Sequence, residues 1–158
     1  DPYLSRGLGD VYKRQSTITR LQNMGTPDYL ISAACQLVVA QRLARKNCKD
    51  CKVPDDDVNP KVLQDLGFSA EQATRVKAIK GKGCAKCSDT GYKGRQGIYE
   101  ILVVSKPLKE AILRKATTPE LREIAIKEGF QTMQDMGRRL IAAGELNFRE
   151  YERVLSNE

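Results

Sequence analysis

In the first third of the chain, apolar residues recur at helical spacing over 29–37 and then form a continuous apolar run over 37–40. A helix beginning at Pro27 with Thr26 as its N-cap is predicted, because proline suits the first helical position. Its apolar face comprises Tyr29, Leu30, Ala33, Ala34 and Leu37. The segment 37–46 fits either a continued helix or a buried strand, since periodicity cannot separate short apolar runs. Segment 16–47 as a whole requires a partner surface, and little in the rest of the chain is expected to supply one.

Short helices separated by turns are predicted in the middle of the chain. A helix over 59–67 begins with Asn-Pro and ends at glycine, and a second over 69–76 begins with a Ser-x-x-Gln capping box. Residues 80–83, Lys-Gly-Lys-Gly, predict a turn. The β-branched, apolar segment 98–104 is the best strand candidate and follows a glycine-rich stretch.

The last third of the chain has a helical period throughout. We predict helices over 107–115, 118–128, 133–143 and 147–155, each delimited by proline, glycine or a capping residue. In the last of them Asn147 and Glu150 are the capping pair. The residues expected to face inward are Leu108, Ala111, Ile112, Leu121, Ile124, Ala125, Phe148, Tyr151 and Leu155.

Composition narrows the class of protein. The 158 residues suit one domain or two small ones, and 41% hydrophobic with 30% charged residues excludes both a disordered chain and a membrane-spanning one. No secretory signal is recognisable. The chain contains no histidine, which excludes imidazole bases and histidine metal ligands.

The net charge of +7 permits contact with nucleic acid, an anionic membrane or a nucleotide without selecting among them. Seven cations lie between Arg75 and Arg95, with only Tyr92 as an aromatic residue among them. A base-stacking platform is therefore missing from this run. A solvated basic face is favoured over a nucleic-acid site.

Two Cys-x-x-Cys pairs, Cys48/Cys51 and Cys84/Cys87, are separated by 32 residues. Four thiolates form a closed tetrahedral zinc site, which is structural because no position remains for water. The spacer is longer than usual, and the two short helices within it are expected to form an insert. The alternatives are disulfide or redox cysteines, but a redox pair normally occurs singly.

The remaining candidates carry less chemistry. Cys35 lies among apolar residues and is interpreted as a small buried hydrophobic side chain. The acidic run 55–57 is interpreted as a solvated turn rather than a cation site. Residues 1–15 lack any period and resemble a translated adapter sequence, so we treat them as a non-native leader, with a native flexible N-terminus as the alternative.

At these motifs the sequence resembles the C-terminal part of the type II secretion and type IV pilus assembly ATPases, the GspE/PilB group. The resemblance extends from about Ser16 to Leu155. It rests on ITRLQNMG (18–25), VVAQRLARKNC (38–48), CAKCSDTGYKGRQGIYEIL (84–102) and ELREIAIKEGFQTMQDMG (120–137). Retraction motors of the same superfamily lack the tetracysteine, so the assembly and secretion branch is the better match.

The resemblance implies an α+β fold with three parts after the leader. Residues 16–47 would be the edge of a RecA-like α/β P-loop ATPase core, which makes 38–46 a strand. Residues 48–104 would be a tetracysteine zinc-binding subdomain with its following strand, and 105–158 a helical C-terminal subdomain. The metal ligands carried over are Cys48, Cys51, Cys84 and Cys87.

The family implies a homo-hexameric motor, cytoplasmic and peripheral to the bacterial inner membrane, which uses ATP and Mg²⁺ to drive a membrane platform protein. The sequence contains no GxxxxGK[ST] motif. The Walker B strand, Asp box and His box of the family all lie upstream of ITRL. No catalytic or nucleotide-binding residue is therefore carried over, and we interpret the chain as a truncated motor that is inactive alone.

Two other classes of function remain open at this stage. One is a free-standing basic zinc module that contacts nucleic acid. The other is an adaptor that docks a partner protein through its helical tail.

Overall fold

A computed structural model describes residues 16–155, which form an α+β chain. The predicted leader, 1–15, lies outside the described residues. The helices are α1 (Ser16–Asn23), α2 (Asp28–Ala34), α3 (Pro60–Asp65), α4 (Ala70–Arg75), α5 (Lys106–Leu113), α6 (Thr118–Lys127), α7 (Met133–Ala142) and α8 (Phe148–Leu155). The strands are β1 (Leu37–Asn47), β2 (Lys52–Pro54), β3 (Ile79–Gly81) and β4 (Tyr92–Val103).

The strands within the described range pair as two ribbons. β1 pairs with β4, and the terminal hydrogen bonds from Cys48 N–H to the Gly91 carbonyl (2.8 Å) and from Val104 N–H to the Gln36 carbonyl (2.9 Å) make the pair antiparallel. β2 pairs antiparallel with β3, with Lys52 opposite Gly81.

The described residues divide into two compact units. The first comprises 16–40 and 99–132, and the second comprises 41–98 and 133–155, so β1 and β4 contribute residues to both. The family resemblance predicts boundaries at residues 47 and 104, which divide the chain by position in sequence and not by compactness. These boundaries stay a prediction.

The core of the first unit forms where α1, α2, α5 and α6 pack with the end of β4. Its buried members are Ile18, Ile31, Leu102, Val104, Leu108, Ala111, Ile112, Leu121 and Ala125. The predicted inward residues of α5 are confirmed, as are Leu121 and Ala125 of α6. Ile124 packs against this core at partial burial, as does Cys35.

The apolar face predicted for α2 is wrong. The helix begins at Asp28, and Thr26 does not cap it. The buried side chains of α2 are Ile31 and Ser32, whereas Tyr29 and Leu30 are exposed. Ile31 packs into the core of the first unit. In that orientation of the helix, the predicted apolar face with Tyr29 and Leu30 lies toward solvent.

The strands were only partly predicted. The ambiguous segment 37–46 lies within β1, as the resemblance implied. β4 begins at Tyr92 rather than Ile98, because the glycine-rich stretch continues the ladder with β1. Lys80 and Gly81, predicted as a turn, instead belong to β3, where the backbone pairs with β2.

Helix caps confirm several local predictions. The Asn59 side chain accepts a hydrogen bond from Val62 N–H at 3.0 Å, and Ser69 with Gln72 forms the predicted capping box. Asn147 accepts from the Glu150 N–H at 2.8 Å at the start of α8. The carboxylate of Glu150, however, does not serve that cap.

Glu150 joins α8 to β1 in the second unit. Its side chain is fully buried, and it accepts hydrogen bonds from Arg45 N–H (2.8 Å), Arg45 Nη2 (2.7 Å) and Arg153 Nε (2.9 Å). Burial opposes ionisation, but the hydrogen bonds from Arg153 and Arg45 outweigh it and lower the pKa of Glu150 to about 2. The carboxylate is therefore charged, and its partners are two guanidinium groups.

We expect Glu150→Gln to lower the free energy of unfolding by about 2 kcal/mol at neutral pH, because hydrogen bonds to charged groups contribute roughly 1.5–3 kcal/mol each. Because the pKa of Glu150 is lower in the folded than in the unfolded chain, its ionised carboxylate stabilises the fold fully at pH values above the ordinary pKa of 4.5. This contribution is lost as the pH falls from 4.5 toward about 2. Urea unfolding across this range should show the wild-type advantage shrinking with acid.

The control is Glu152→Gln, since Glu152 lies on the same helix and is exposed. It should change stability little at any pH. An equal loss in both variants, or an advantage of Glu150 that does not depend on pH, would contradict this account.

Candidate metal centre

The four predicted ligands lie at two short 3₁₀ turns placed by the strands of the second unit. Cys48 follows β1, and the turn Lys49–Cys51 leads into β2. Cys84 follows β3 after a short loop, and the turn Ala85–Cys87 leads toward β4. Because β2 pairs with β3 and β1 with β4, the two Cys-x-x-Cys turns face one another. The spacer helices α3 and α4 lie between β2 and β3 in sequence.

All four sulfur atoms lie within 4.8 Å of one another. The Sγ–Sγ distances are 3.9 Å for Cys48–Cys84, 3.9 Å for Cys51–Cys87 and 3.7 Å for Cys84–Cys87. A tetrahedral ion with metal–sulfur bonds of about 2.3 Å places its ligands about 3.8 Å apart. A disulfide needs about 2.05 Å, and all five cysteines are free thiols. The residues present therefore fit a metal ion with four thiolate ligands.

Backbone amides point at the sulfur atoms. Gly83 N–H donates to Cys51 Sγ at 3.3 Å, while Cys84 N–H (3.2 Å) and Gly91 N–H (3.3 Å) donate to Cys87 Sγ. Burial opposes ionisation of Cys87, but the two backbone hydrogen bonds outweigh it and lower the pKa of this thiol to about 6. Burial and the neighbouring thiols instead raise the pKa of Cys51 to about 12, so the amide hydrogen bonds favour the thiolate, the form in which cysteine binds metal, at Cys87.

Two glycines allow the strands to approach closely beside the sulfurs. A Cβ added to Gly81 would lie 1.9 Å from the Gly91 carbonyl oxygen. One added to Gly91, whose φ is +76°, would lie 2.4 Å from the Gly81 carbonyl oxygen. The contact is between backbones, so no side-chain rearrangement relieves it. The sequence alone marked the Gly-rich stretches without indicating this contact.

Asn47 is a structural residue that the sequence reasoning missed. It is buried directly before Cys48, and its side-chain amide donates to the Ile79 carbonyl (2.9 Å) and the Gly144 carbonyl (3.1 Å). Its backbone N–H donates to the Glu145 carbonyl at 2.9 Å. Asn47 thus ties the first cysteine turn to β3 and to the loop after α7. A buried polar residue next to a ligand leaves no periodic signal in the sequence.

Acidic residues pair with several of the surrounding lysines. Lys86 contacts Asp50 at 2.7 Å, and Lys52 contacts Glu145 at 3.3 Å. The positive charge of these two lysines is therefore directed at carboxylates as well as at the sulfur atoms.

The acidic run 55–57 is not simply solvated. Only 8% of the Asp55 side chain is exposed, and it pairs with Lys80 at 2.9 Å; Asp57 contacts the same lysine at 3.4 Å. The basic run is likewise partly neutralised, since Arg75 pairs with Glu71 at 2.6 Å.

Within 16–155, no helix combines the length and apolarity needed to cross a bilayer.

We expect one metal ion per chain, and Cys84→Ser to abolish stoichiometric binding because it removes one of four ligands. Since the thiols must lose their protons, binding should release protons and weaken as the pH falls. Elemental analysis after dialysis and proton release during titration measure both. The matched control is Cys35→Ser, which lies outside the cluster; metal loss in that variant, or full retention in Cys84→Ser, would contradict the assignment.

Gly81→Ala should also impair metal binding, although Gly81 supplies no ligand. The methyl group cannot fit against the Gly91 carbonyl, so the strands must separate. Gly94→Ala is the comparison, because no atom lies within 4 Å of its added Cβ, although its φ of +81° strains any side chain. Metal content equal in the two variants would mean that the close approach is not required.

The chain is similar to known proteins over most of its length. Residues 12–153 match the family model described as Type II/IV secretion system protein. The chain is 41% identical over 120 residues to the type IV pilus assembly ATPase PilB of Thermus thermophilus, covering 76% of this chain and 13% of the relative. It is 35% identical to PilB of Myxococcus xanthus, covering 85% of this chain and 24% of that protein.

A secretion protein gives a similar result. The type II secretion system ATPase E of Vibrio cholerae is 33% identical over 136 residues, covering 77% of this chain and 26% of the relative. The chain thus spans about a quarter or less of the length of these curated relatives. Since the family model matches nearly the whole chain, the chain belongs to the Type II/IV secretion system protein family.

Proposed function

We propose that this chain is the C-terminal part of an ATPase that powers type IV pilus assembly or type II protein secretion. The observation that carries the proposal is the family match over 12–153, together with relatives whose names specify these two activities. The short coverage of those relatives supports a place within a larger protein.

The proposed ion at the cysteine cluster is zinc, bound by Cys48, Cys51, Cys84 and Cys87. Four sulfur ligands at tetrahedral spacing suit zinc, and a closed site supplies folding free energy rather than catalysis. Zinc in the purified chain, at one equivalent, supports this identity. Iron in the same sites would contradict it, because four thiolates also hold iron.

The three-part division proposed from the family resemblance places 16–47 at the edge of a RecA-like core, 48–104 in the zinc subdomain and 105–158 in the helical subdomain. Exposed apolar side chains support a covering surface outside this chain: Leu37 and Val39 are about half exposed, at 51% and 52%. Isolated soluble domains seldom leave neighbouring large apolar side chains of one strand in water.

For the whole protein we propose a homo-hexamer that uses ATP and Mg²⁺, acts on the platform protein of the inner membrane and works from the cytoplasmic side. No nucleic-acid partner is proposed. Within that protein, the proposed zinc site stabilises the fold of this chain, and the residues of this chain do not contact the phosphates of ATP. The sequence offers no phosphate-binding GxxxxGK[ST] loop.

The decisive experiment replaces the matched segment of Pseudomonas aeruginosa PilB, a 36% identical relative, with residues 16–155 of this chain. We expect the chimera to restore pilus assembly in a strain lacking PilB and to hydrolyse ATP, while the isolated 158-residue chain should show no ATP turnover above a protein-free blank. The chimera carrying Cys48→Ser and Cys84→Ser should lose both activities.

A matched chimera carrying Cys35→Ser controls for general damage from thiol removal. A chimera that folds, binds zinc and yet fails to assemble pili would contradict the pilus role, and rescue of type II secretion by the equivalent chimera of ATPase E would then select the secretion role. Turnover by the isolated chain would contradict the proposed division of labour.

A further inference from the structure

A basic cleft lies in the second unit, and none of the four clustered cysteines lines it. It has a volume of about 390 Å³ and is lined by Leu43, Ala44, Arg45, Arg95 and Arg153. A neighbouring cleft of about 270 Å³ shares Arg45 and Arg95 with it and adds Thr90, Tyr92 and Gly94. Neither the proposed zinc site nor the proposed motor function uses these arginines.

Two of the guanidinium groups are held in place by the structure. Arg45 donates through Nε (3.0 Å) and Nη2 (2.7 Å) to Glu150 Oε2, and its guanidinium lies 4.1 Å from the centre of the Tyr92 ring. Arg153 donates through Nε and Nη2 to the two oxygens of the same carboxylate. These bonds leave Nη1 of both arginines without a partner in the described part of the chain.

The third guanidinium has no such role. The Arg95 side chain is exposed and makes no hydrogen bond or ion pair with any residue in 16–155. Its donors therefore remain available for an external acceptor.

Charge at the cleft is unbalanced. Three guanidinium groups line it, and within residues 16–155 the one carboxylate that contacts them is Glu150, so these four groups have a net charge of +2. A monocarboxylate would neutralise half of this surplus, whereas a phosphate monoester carries about two negative charges at neutral pH or above. Arginine also matches phosphate oxygens geometrically, because its planar group donates in pairs.

We propose that this cleft binds the phosphoryl group of a phosphate monoester. Arg95 and the Nη1 groups of Arg45 and Arg153 are the donors, and Glu150 holds the latter two arginines in position. A phosphate ion alone would leave most of the cleft empty, and Leu43, 52% exposed, offers an apolar wall to the organic part of an ester. The proposal stands independently of the motor function.

The test is a calorimetric titration of the metal-loaded chain at about pH 8 and low salt with glycerol 3-phosphate, orthophosphate and acetate. We expect glycerol 3-phosphate to bind more tightly than orthophosphate, acetate to bind least, and affinity to fall with added salt. Vesicles of phosphatidylcholine with and without phosphatidic acid form a further arm. Preference for those vesicles over glycerol 3-phosphate identifies a lipid headgroup as the source of the monoester, and the reverse identifies a soluble one.

Arg95→Ala should weaken binding by about tenfold to a hundredfold, since hydrogen bonds to charged groups contribute roughly 1.5–3 kcal/mol. Arg95→Lys should recover part of the loss by keeping the charge. Because the Arg95 side chain makes no hydrogen bond or ion pair with the described residues, the unfolding midpoint and the metal content should stay at wild-type values. Arg139→Ala is the control, since Arg139 is exposed on α7 and does not line the cleft.

Equal affinity in wild type and Arg95→Ala, an equal loss in Arg139→Ala, or acetate binding as tightly as the phosphate monoester would overturn the proposal. None of these results bears on the chimera experiment, so the two proposals fail separately.

Discussion

The second unit depends on a buried negative charge that must be matched. Glu150 has no exposed side-chain surface, and an uncompensated carboxylate there would destabilise the fold by several kcal/mol. Its partners come from β1 and from α8 itself, so the charge fixes the helix on the strand. Arg45, one of those partners, lies three residues before Cys48 and packs on Tyr92 of β4.

β1, which ends at the first cysteine turn, and β4, which begins after the second, are thereby tied to one carboxylate. Tyr92 extends the connection, because its hydroxyl and the Asn147 side-chain amide form a hydrogen bond of 2.9 Å. Asn147 also caps α8 beside Glu150. The four cysteines are consequently placed by a polar framework. Its hydrogen bonds constrain direction as well as distance, which hydrophobic packing alone does less strictly.

Local signals in the sequence predicted local structure well. The caps at Asn59 and Ser69 involve residues three positions apart, and the inward face of α5 follows the helical period. The cysteine cluster could be predicted because metal chemistry imposes a spacing on the chain itself. By contrast, β2 and β3 are three-residue ladders held by backbone hydrogen bonds, so their side chains carry no pattern.

Glu150 shows why the rest could not be predicted. From the sequence it was expected to complete a cap with Asn147, and the backbone half of that cap is present. Its carboxylate instead binds Arg45, which is 105 residues distant in sequence. Tertiary contacts of this kind compete with local ones, and a residue type that suits both gives no sign of which prevails. The predicted apolar face of α2 was wrong for a similar reason: its helical period is local, but tertiary packing placed Ile31 in the core instead.

The positive net charge acquires meaning only from where the charges lie. Lys80, Lys86 and Arg75 face carboxylates, which reduces their local field even though exposed pairs contribute little stability. Arg45 and Arg153 share the single negative charge of Glu150, so one of their two positive charges is not neutralised by it. At the cleft, Arg45, Arg95 and Arg153 together with Glu150 leave a local surplus of two positive charges, and Arg95 is the member contributed by the basic run. Such a distribution favours a compact anion over an extended polyanion, because a polymer needs charge along a path and a small ligand needs it at a point.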